Sequence, residues 1–247
     1  MDIHSIVKSF LDIIYPQCSG CLVCGRKITN RTSDLAGLCL SCYESLPYIK
    51  QPVCRKCGKP LADIKDLYCL DCRNTARCFI QAAAPFEYDS IIKTLIHKFK
   101  YDGQVFISEG MSDFMVQTII DNKWKFDVII PVPLYYEREL MRGYNQSLLL
   151  AECIGKKLGC KVIDKNLLRI KNTPTQTKLG RSDRLKNLQD AFKVTQPDVL
   201  KGKIVLLVDD VYTTGTTSQQ CTQVLLKNGV KEVYIITLAT GKPMSKI

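Results

Sequence analysis

The sequence has no apolar run approaching the roughly 20 residues that a membrane-spanning helix requires. It places Asp2 and His4 where a secretory signal would carry basic residues, so a cytoplasmic protein without membrane insertion is the expectation. Histidine is scarce, with 2 in 247 residues. Neither stands near the cysteine pairs or the acidic motif described below, so a Cys/His nucleophile has no support. Neither G-x-x-x-x-G-K-[ST] nor G-x-G-x-x-G occurs, which removes a P-loop ATPase and a simple dinucleotide-binding fold. Acidic residues are also in short supply, 24 against 35 basic, for a formal charge of +11. That surplus suits anionic partners, phosphorylated metabolites or nucleic acid, without choosing between them. With 46% apolar residues the chain reads as an ordinary globule, able to bury one substantial core or two modest ones.

Cysteine, by contrast, is abundant, at 13 residues. In a reducing compartment such cysteines read as metal ligands or buried thiols rather than disulfides. Eight fall into four C-x-x-C pairs: Cys21/Cys24, Cys39/Cys42, Cys54/Cys57 and Cys69/Cys72. Two thiolates on a tight knuckle fill two corners of a tetrahedron, and Gly25 and Gly58, directly after the second cysteine, permit the turn. Two knuckles close one four-cysteine site with no open position, so two structural Zn²⁺ sites are expected. Cys21-Leu22-Val23-Cys24-Gly25-Arg26 recurs as Cys54-Arg55-Lys56-Cys57-Gly58-Lys59, and Leu38 to Cys42 recurs as Tyr68 to Cys72, which implies two units in tandem. Pairing within each repeat is the simplest closure, with a cross-braced one left open, and Cys18 is an extra thiol ahead of the first pair. Eight zinc-bound thiolates and two zinc ions would bring the charge to about +7. Arg55, Lys56 and Lys59 give the second knuckle some likeness to a nucleic-acid finger. Residues 1–80 nevertheless hold only 11 basic against 7 acidic residues, a surplus the zinc–cysteine sites almost cancel.

The spacing of Ile3, Ile6, Val7, Phe10, Leu11 and Ile14 predicts a packing helix over residues 2–14. From Ala82 the pattern alternates between strands and helices. Ala84 to Tyr88 and Phe126 to Val132 read as strands, and Ser90 to Phe99, Phe106 to Asp121 and Asn145 to Lys157 as helices. Lys161 to Ile163 and Leu167 to Ile170 read as short strands, and Asn172 to Asp183 as a polar mobile segment. Strand Ile204 to Val208, helix Thr217 to Lys227, a cap at Gly229 and strand Glu232 to Leu238 complete the pattern and imply a parallel sheet.

The most informative stretch is Val205-Leu206-Leu207-Val208-Asp209-Asp210-Val211-Tyr212-Thr213-Thr214-Gly215-Thr216-Thr217. A buried strand ends in two carboxylates, and a Thr/Gly loop then opens a helix. Backbone N–H groups and hydroxyls from Thr213 to Thr217, with the helix dipole, form a phosphate cradle. Asp209 and Asp210 can accept hydrogen bonds from vicinal ribose hydroxyls.

This motif resembles the phosphoribosyl pyrophosphate loop of type I phosphoribosyltransferases. Four further segments narrow the resemblance to the ComF (ComFC, GntX) family. They are His97-Lys98-Phe99-Lys100-Tyr101-Asp102-Gly103, Pro131-Val132-Pro133-Leu134, Arg142-Gly143-Tyr144-Asn145-Gln146, and Thr175-Gln176 with Arg181, Arg184 and Asn187. The resemblance covers nearly the whole chain. It implies a type I phosphoribosyltransferase α/β fold over residues 81–247, with a parallel core sheet, flanking helices and a small hood from residues 80 to 105. A double zinc-ribbon module over residues 1–80 precedes it. It further implies Asp209 and Asp210 as catalytic residues, with Val211, Tyr212, Thr213, Thr214, Gly215, Thr216 and Thr217 binding phosphoribosyl pyrophosphate. Pro133 and Leu134 would form the pyrophosphate loop, with Arg138, Arg142 and Arg184 adding charge, Mg²⁺ bridging pyrophosphate and sugar, and Asn172 to Arg184 closing over the substrate.

Lys156 to Lys193 holds 11 basic residues against Asp164, Asp183 and Asp190, a net of +8. It could line the pyrophosphate end of the site, bind single-stranded DNA or be a solvated lid. His97, Cys153, Cys160 and Cys221 read as structural or surface positions. Three functions follow from the resemblance: a phosphoribosyltransferase, a single-stranded-DNA-handling factor of natural competence acting with other competence proteins, and a sensor of phosphoribosyl pyrophosphate or another ribose 5-phosphate ligand.

Overall fold

The structure, a computed structural model, describes residues 20–28, 37–172 and 190–241. The expected helix over residues 2–14, Cys18, Thr175, Gln176, Arg181, Arg184, Asn187 and all but the first residue of the segment from Asn172 lie outside those residues. By packing, the chain divides into two compact units, Met1–Leu46 and Pro47–Ile247.

In the first unit a knuckle is closed by Gly25 N–H donating to the Cys21 carbonyl at 2.8 Å and by Cys21 N–H donating to Arg26 at 2.7 Å. Helix α1, Leu40–Glu44, starts at Cys39. The sulfurs of Cys21, Cys24, Cys39 and Cys42 all lie within 4.8 Å of one another.

The second unit opens with the same device. Gly58 N–H donates to Cys54 at 2.9 Å, Cys54 N–H to Lys59 at 2.8 Å, and α2, Leu70–Asn74, starts at Cys69. Its sulfurs, from Cys54, Cys57, Cys69 and Cys72, likewise lie within 4.8 Å. Zinc–sulfur bonds of 2.3 Å in a tetrahedron put sulfurs about 3.8 Å apart. The separations of 3.8 Å for Cys24–Cys39 and 3.5 Å for Cys57–Cys69 match that edge. Pairing is therefore sequential within each repeat. Beside the second cluster, Lys59 and Asp71 form a buried ion pair at 3.0 Å.

The rest of the second unit is a parallel sheet. Strands β1 (Gln81–Ala83), β2 (Phe86–Glu87), β3 (Val128–Pro131), β6 (Ile204–Tyr212) and β7 (Glu232–Thr240) run in the order β1-β7-β6-β3, with β2 extending β1 along β7. Residues 81–83 and 86–87, read from sequence as part of a hood, thus join the core sheet. Helices α3 (Ser90–Tyr101) and α4 (Ile107–Asp121) follow β2, and α5 (Tyr136–Arg142) and α6 (Gln146–Leu158) follow β3. Strands β4 (Leu167–Arg169) and β5 (Phe192–Val194) pair antiparallel, and α7 is Thr216–Lys227.

Alternation along the strands sorts the two faces. Val128, Ile130, Val205, Leu207, Val233 and Ile235 share one core cluster with Cys221 and Leu225 of α7 and with Cys54, Cys57 and Cys69. Ile129, between them, approaches Gly155 of α6 on the opposite face. The second zinc cluster is thus part of the hydrophobic core beneath the sheet.

The two knuckle glycines provide a test. Both have positive φ, +73° at Gly25 and +70° at Gly58, but a Cβ at Gly25 meets nothing within 4 Å. At Gly58 it would sit 2.7 Å from the Ala82 carbonyl oxygen in β1. Gly25→Ala should therefore carry only the left-handed backbone penalty of about 1 kcal/mol. Gly58→Ala must also displace β1, and should lower the melting temperature and speed zinc loss to a chelating dye clearly more. Equal effects would contradict this packing.

Candidate functional site

Strand β6 does not stop at Val208. Pairing with β7 continues through Asp209↔Thr237 to Tyr212↔Thr240, because β7 itself runs on to Thr240. The acid pair therefore lies inside a paired strand, and alternation sends the two carboxylates to different partners. Asp209 Oδ1 accepts from Ser147 Oγ at 3.0 Å and from Asp210 N at 2.9 Å. Asp210 is ion-paired to Lys100 Nζ.

Electrostatics separates the pair. Burial, reinforced by the charge of Asp210, pushes the Asp209 carboxyl up to about 7, against the opposing pull of Lys100 and Ser147. Burial also works against ionised Asp210, but the Lys100 charge and hydrogen bond overcome it and hold that carboxyl below the usual range. Lys100 is raised in turn, its burial outweighed by Asp210. One carboxylate is held ionised while its neighbour is pushed toward its neutral form.

The segment Arg142-Gly143-Tyr144-Asn145-Gln146 is the joint that assembles these partners. Gly143, with φ +83°, ends α5 in the left-handed conformation. Tyr144 OH donates to the Phe99 carbonyl, tying the joint to the last turn of α3 beside Lys100. Asn145 caps α6 by accepting from Ser147 N at 3.0 Å and donates to the Val132 carbonyl at 3.1 Å. Ser147 is thereby fixed against Asp209. Arg142 donates to Gln146 Oε1, stacks 5.1 Å from the Tyr101 ring, and contributes to the field at both Asp210 and Lys100.

The loop after β6 turns at Gly215, φ +73°, which opens α7 with no side-chain cap on the helix. A helix N-terminus of this kind presents backbone N–H groups and the positive end of the helix dipole to an anion. Thr214 and Thr216 hydroxyls lie 2.8 Å apart. Tyr212 is buried beneath the loop, so that a Cβ at Gly215 would overlap its hydroxyl.

Of the residues picked out from sequence, Asp209, Asp210, the loop and Arg142 come together, and Pro133, which is buried, and Leu134 follow the neighbouring strand β3. Arg138 lies on α5, where its charge is felt at Arg169. His97 is exposed against Tyr101, Cys221 is fully buried, and Cys153 and Cys160 are half-buried. Sequence reasoning missed Lys100, Ser147 and Gln146. Lys100 stood in a quoted segment and Ser147 beside one, but nothing in their spacing announces a partner more than 60 residues away.

Comparisons with known proteins agree with this architecture. A profile of the double zinc ribbon domain matches residues 10–73, and one of the phosphoribosyl transferase domain matches residues 145–246. Competence protein F of Haemophilus influenzae is 31% identical over 209 residues, covering 82% of this chain and 90% of that protein. The chain belongs to the ComF family. A second ComF relative, competence protein ComFC of Bacillus subtilis, is 31% identical over 199 residues, covering 78% of this chain and 79% of its own. DNA utilization protein YhgH of Salmonella typhimurium is 29% identical over 204 residues, covering 81% and 88%. A purine phosphoribosyltransferase structure from Pyrococcus horikoshii overlaps 53% of this chain and 74% of its own, at 21% identity and a TM-score of 0.35, and no geometry is carried over from it. This ComF chain thus joins a type I phosphoribosyltransferase fold to two structural zinc-ribbon sites. Among the described residues no helix is long and apolar enough to cross a membrane.

The raised Asp209 carboxyl generates a pH prediction. Its folded pKa lies above that of a free carboxylate, so its stabilising contribution is complete below about pH 4 and is lost as pH rises through about 7. Asn mimics the neutral form and removes that loss. In ligand-free protein, the melting temperature of Asp209→Asn minus that of the parent should rise by several degrees between about pH 5.5 and pH 8. The zinc sites are common to both proteins and cancel. A flat difference would rule out the raised carboxyl.

Proposed function

We propose that this ComF-family protein binds phosphoribosyl pyrophosphate, or a closely related ribose 5-phosphate ligand, and transfers its phosphoribosyl group. The observation that carries the reading is the placement of the acid pair: a half-buried and a buried carboxylate in β6 are followed by a glycine turn whose helix N-terminus lacks a side-chain cap. A 5′-phosphate fits the N–H groups and hydroxyls of Thr213 to Thr217, and the ribose diol then falls to Asp209 and Asp210. Lys100 and Arg142 supply positive charge on the same side, suited to the pyrophosphate. Mg²⁺, when bound with the ligand, supplies the charge that neutralises the leaving group. The residues themselves orient the sugar, and ionised Asp210 stabilises the positive charge that develops on it.

Functionally, residues 1–80 act as the zinc module and residues 81–247 as the phosphoribosyltransferase-like domain, in a cytoplasm where the thiols stay reduced. The names of the relatives, two competence proteins and a DNA utilization protein, support a role in natural competence or DNA use. The basic stretch from Lys156 to Lys193 suits either the pyrophosphate end of the site or contact with single-stranded DNA.

The deciding experiment is ligand-dependent melting. At about a hundred times its dissociation constant a ligand adds roughly 2.7 kcal/mol, a rise of roughly 5 °C or more for a domain of this size. Phosphoribosyl pyrophosphate with Mg²⁺ should produce that rise in the parent and not in the Asp209→Asn, Asp210→Asn double variant. Pyrophosphate release with a panel of bases and ammonia then distinguishes transferase from sensor. No shift in the parent, with salt-sensitive binding of single-stranded DNA retained, would replace this reading by a DNA-handling one.

A further inference from the structure

Three consecutive residues that leave the second zinc ribbon run beneath the phosphate loop, and each holds a different part of it. Arg77 Nη2 donates to the Thr214 carbonyl at 2.8 Å. Cys78 N–H donates to Gln219 Oε1 at 3.0 Å, and Gln219 Nε2 returns a hydrogen bond to Cys78 Sγ at 3.0 Å, fixing the first turns of α7. Phe79, fully buried, meets the Tyr212 ring edge-on at 6.3 Å, and the Tyr212 hydroxyl lies under Gly215. The segment is anchored behind by the ribbon. Lys56 of the knuckle lies over the Phe79 ring at 5.6 Å and its carbonyl accepts from Ala82 N at 2.8 Å. Cys54, Cys57, Cys69, Phe79 and Tyr212 belong to one core cluster.

We propose that Arg77 is a positioning residue through which the second zinc ribbon sets the phosphate loop in its binding conformation. The reason is peptide geometry. In a planar trans peptide the C=O and N–H point in opposite directions. An arginine that holds the Thr214 carbonyl on the ribbon side turns the Gly215 N–H to the other side of the loop. That N–H is one of the donors a 5′-phosphate needs, and Gly215 is the N-cap residue of α7. A loop held this way loses little conformational freedom on binding, which favours affinity. The guanidinium also places a positive charge under the cradle without touching the ligand. The zinc ribbon therefore serves the site it adjoins, rather than only closing its own fold.

This inference rests on the ribose-phosphate reading above, and two measurements separate the failure of one from that of the other. In ligand-free protein, hydrogen exchange of the amides of residues 213–217 should accelerate about tenfold in Arg77→Met, with zinc content unchanged and the amides of β6 still protected. In binding titrations Arg77→Met should weaken ribose 5-phosphate about tenfold while leaving Mg²⁺-pyrophosphate affinity as in the parent, and Arg77→Lys should recover part of the loss. A merely destabilising substitution would weaken both ligands alike. Unchanged exchange in the loop overturns the proposal whether or not a ligand is found, as does equal ribose 5-phosphate affinity in a parent that binds it. A parent that binds no ribose phosphate overturns the functional reading instead, and loop exchange alone then decides the role of Arg77.

Discussion

Two adjacent carboxylates, one half-buried and one buried, toward the C-terminal end of a central parallel strand are the constraint around which this site is built. Neither can be stripped of water as a bare charge without a cost of several kcal/mol. The protein meets the two demands differently. Asp210 keeps its charge because Lys100 reaches it from α3, and Asp209 approaches neutrality while Ser147 and the Asp210 N–H occupy one of its oxygens. Both partners come from elements that the backbone must bring in. The hydrogen bond from Tyr144 to Phe99 places α3, and the Asn145 cap places the start of α6. The Arg142–Gln146 segment is thus a structural consequence of the acid pair.

The second zinc cluster shows a related economy. A repeated knuckle has been put to different use in its two copies. The first has open space around Gly25, while the second presses Gly58 against β1 and buries three of its four cysteines in the core under the sheet. Metal–thiolate bonds do there what apolar packing does elsewhere, fixing a short segment that contains few helical or strand residues of its own. Lys59 and Asp71, paired and buried beside the cluster, add directional contacts that an apolar filling would lack.

Much of this was legible in the residues. The cysteine spacing gave the ligand sets, since two C-x-x-C knuckles per repeat determine a tetrahedron locally. Helices α3, α4, α6 and α7 fell within two residues of their expected bounds, because each carries an apolar face at helical spacing. Helix α5 escaped notice because it is seven residues long and has no buried residue, so no periodicity marks it. The end of β6 was misplaced because two aspartates look like a strand terminus, and only pairing with β7 carries the strand past them. Strand β5 is three residues long and depends on its partner β4. Lys100, Ser147 and Arg77 are legible only in three dimensions, since each acts on a group far along the chain.

On the proposed reading, affinity and discrimination come from different halves of the site. The phosphate cradle offers backbone N–H groups at a helix N-terminus and threonine hydroxyls, and an anion there gains charge-assisted hydrogen bonds. A ribose diol must instead compete with bonds the carboxylates already make to Ser147, the Asp210 N–H and Lys100. Its net contribution to affinity is correspondingly small. The asymmetry appears with a ligand that lacks a hydroxyl: it displaces water from the two acids and leaves one of them unmatched, at about 1–3 kcal/mol. The acid pair would thus select ribose over its deoxy counterpart, while the loop braced by the zinc ribbon would hold whichever phosphate arrives.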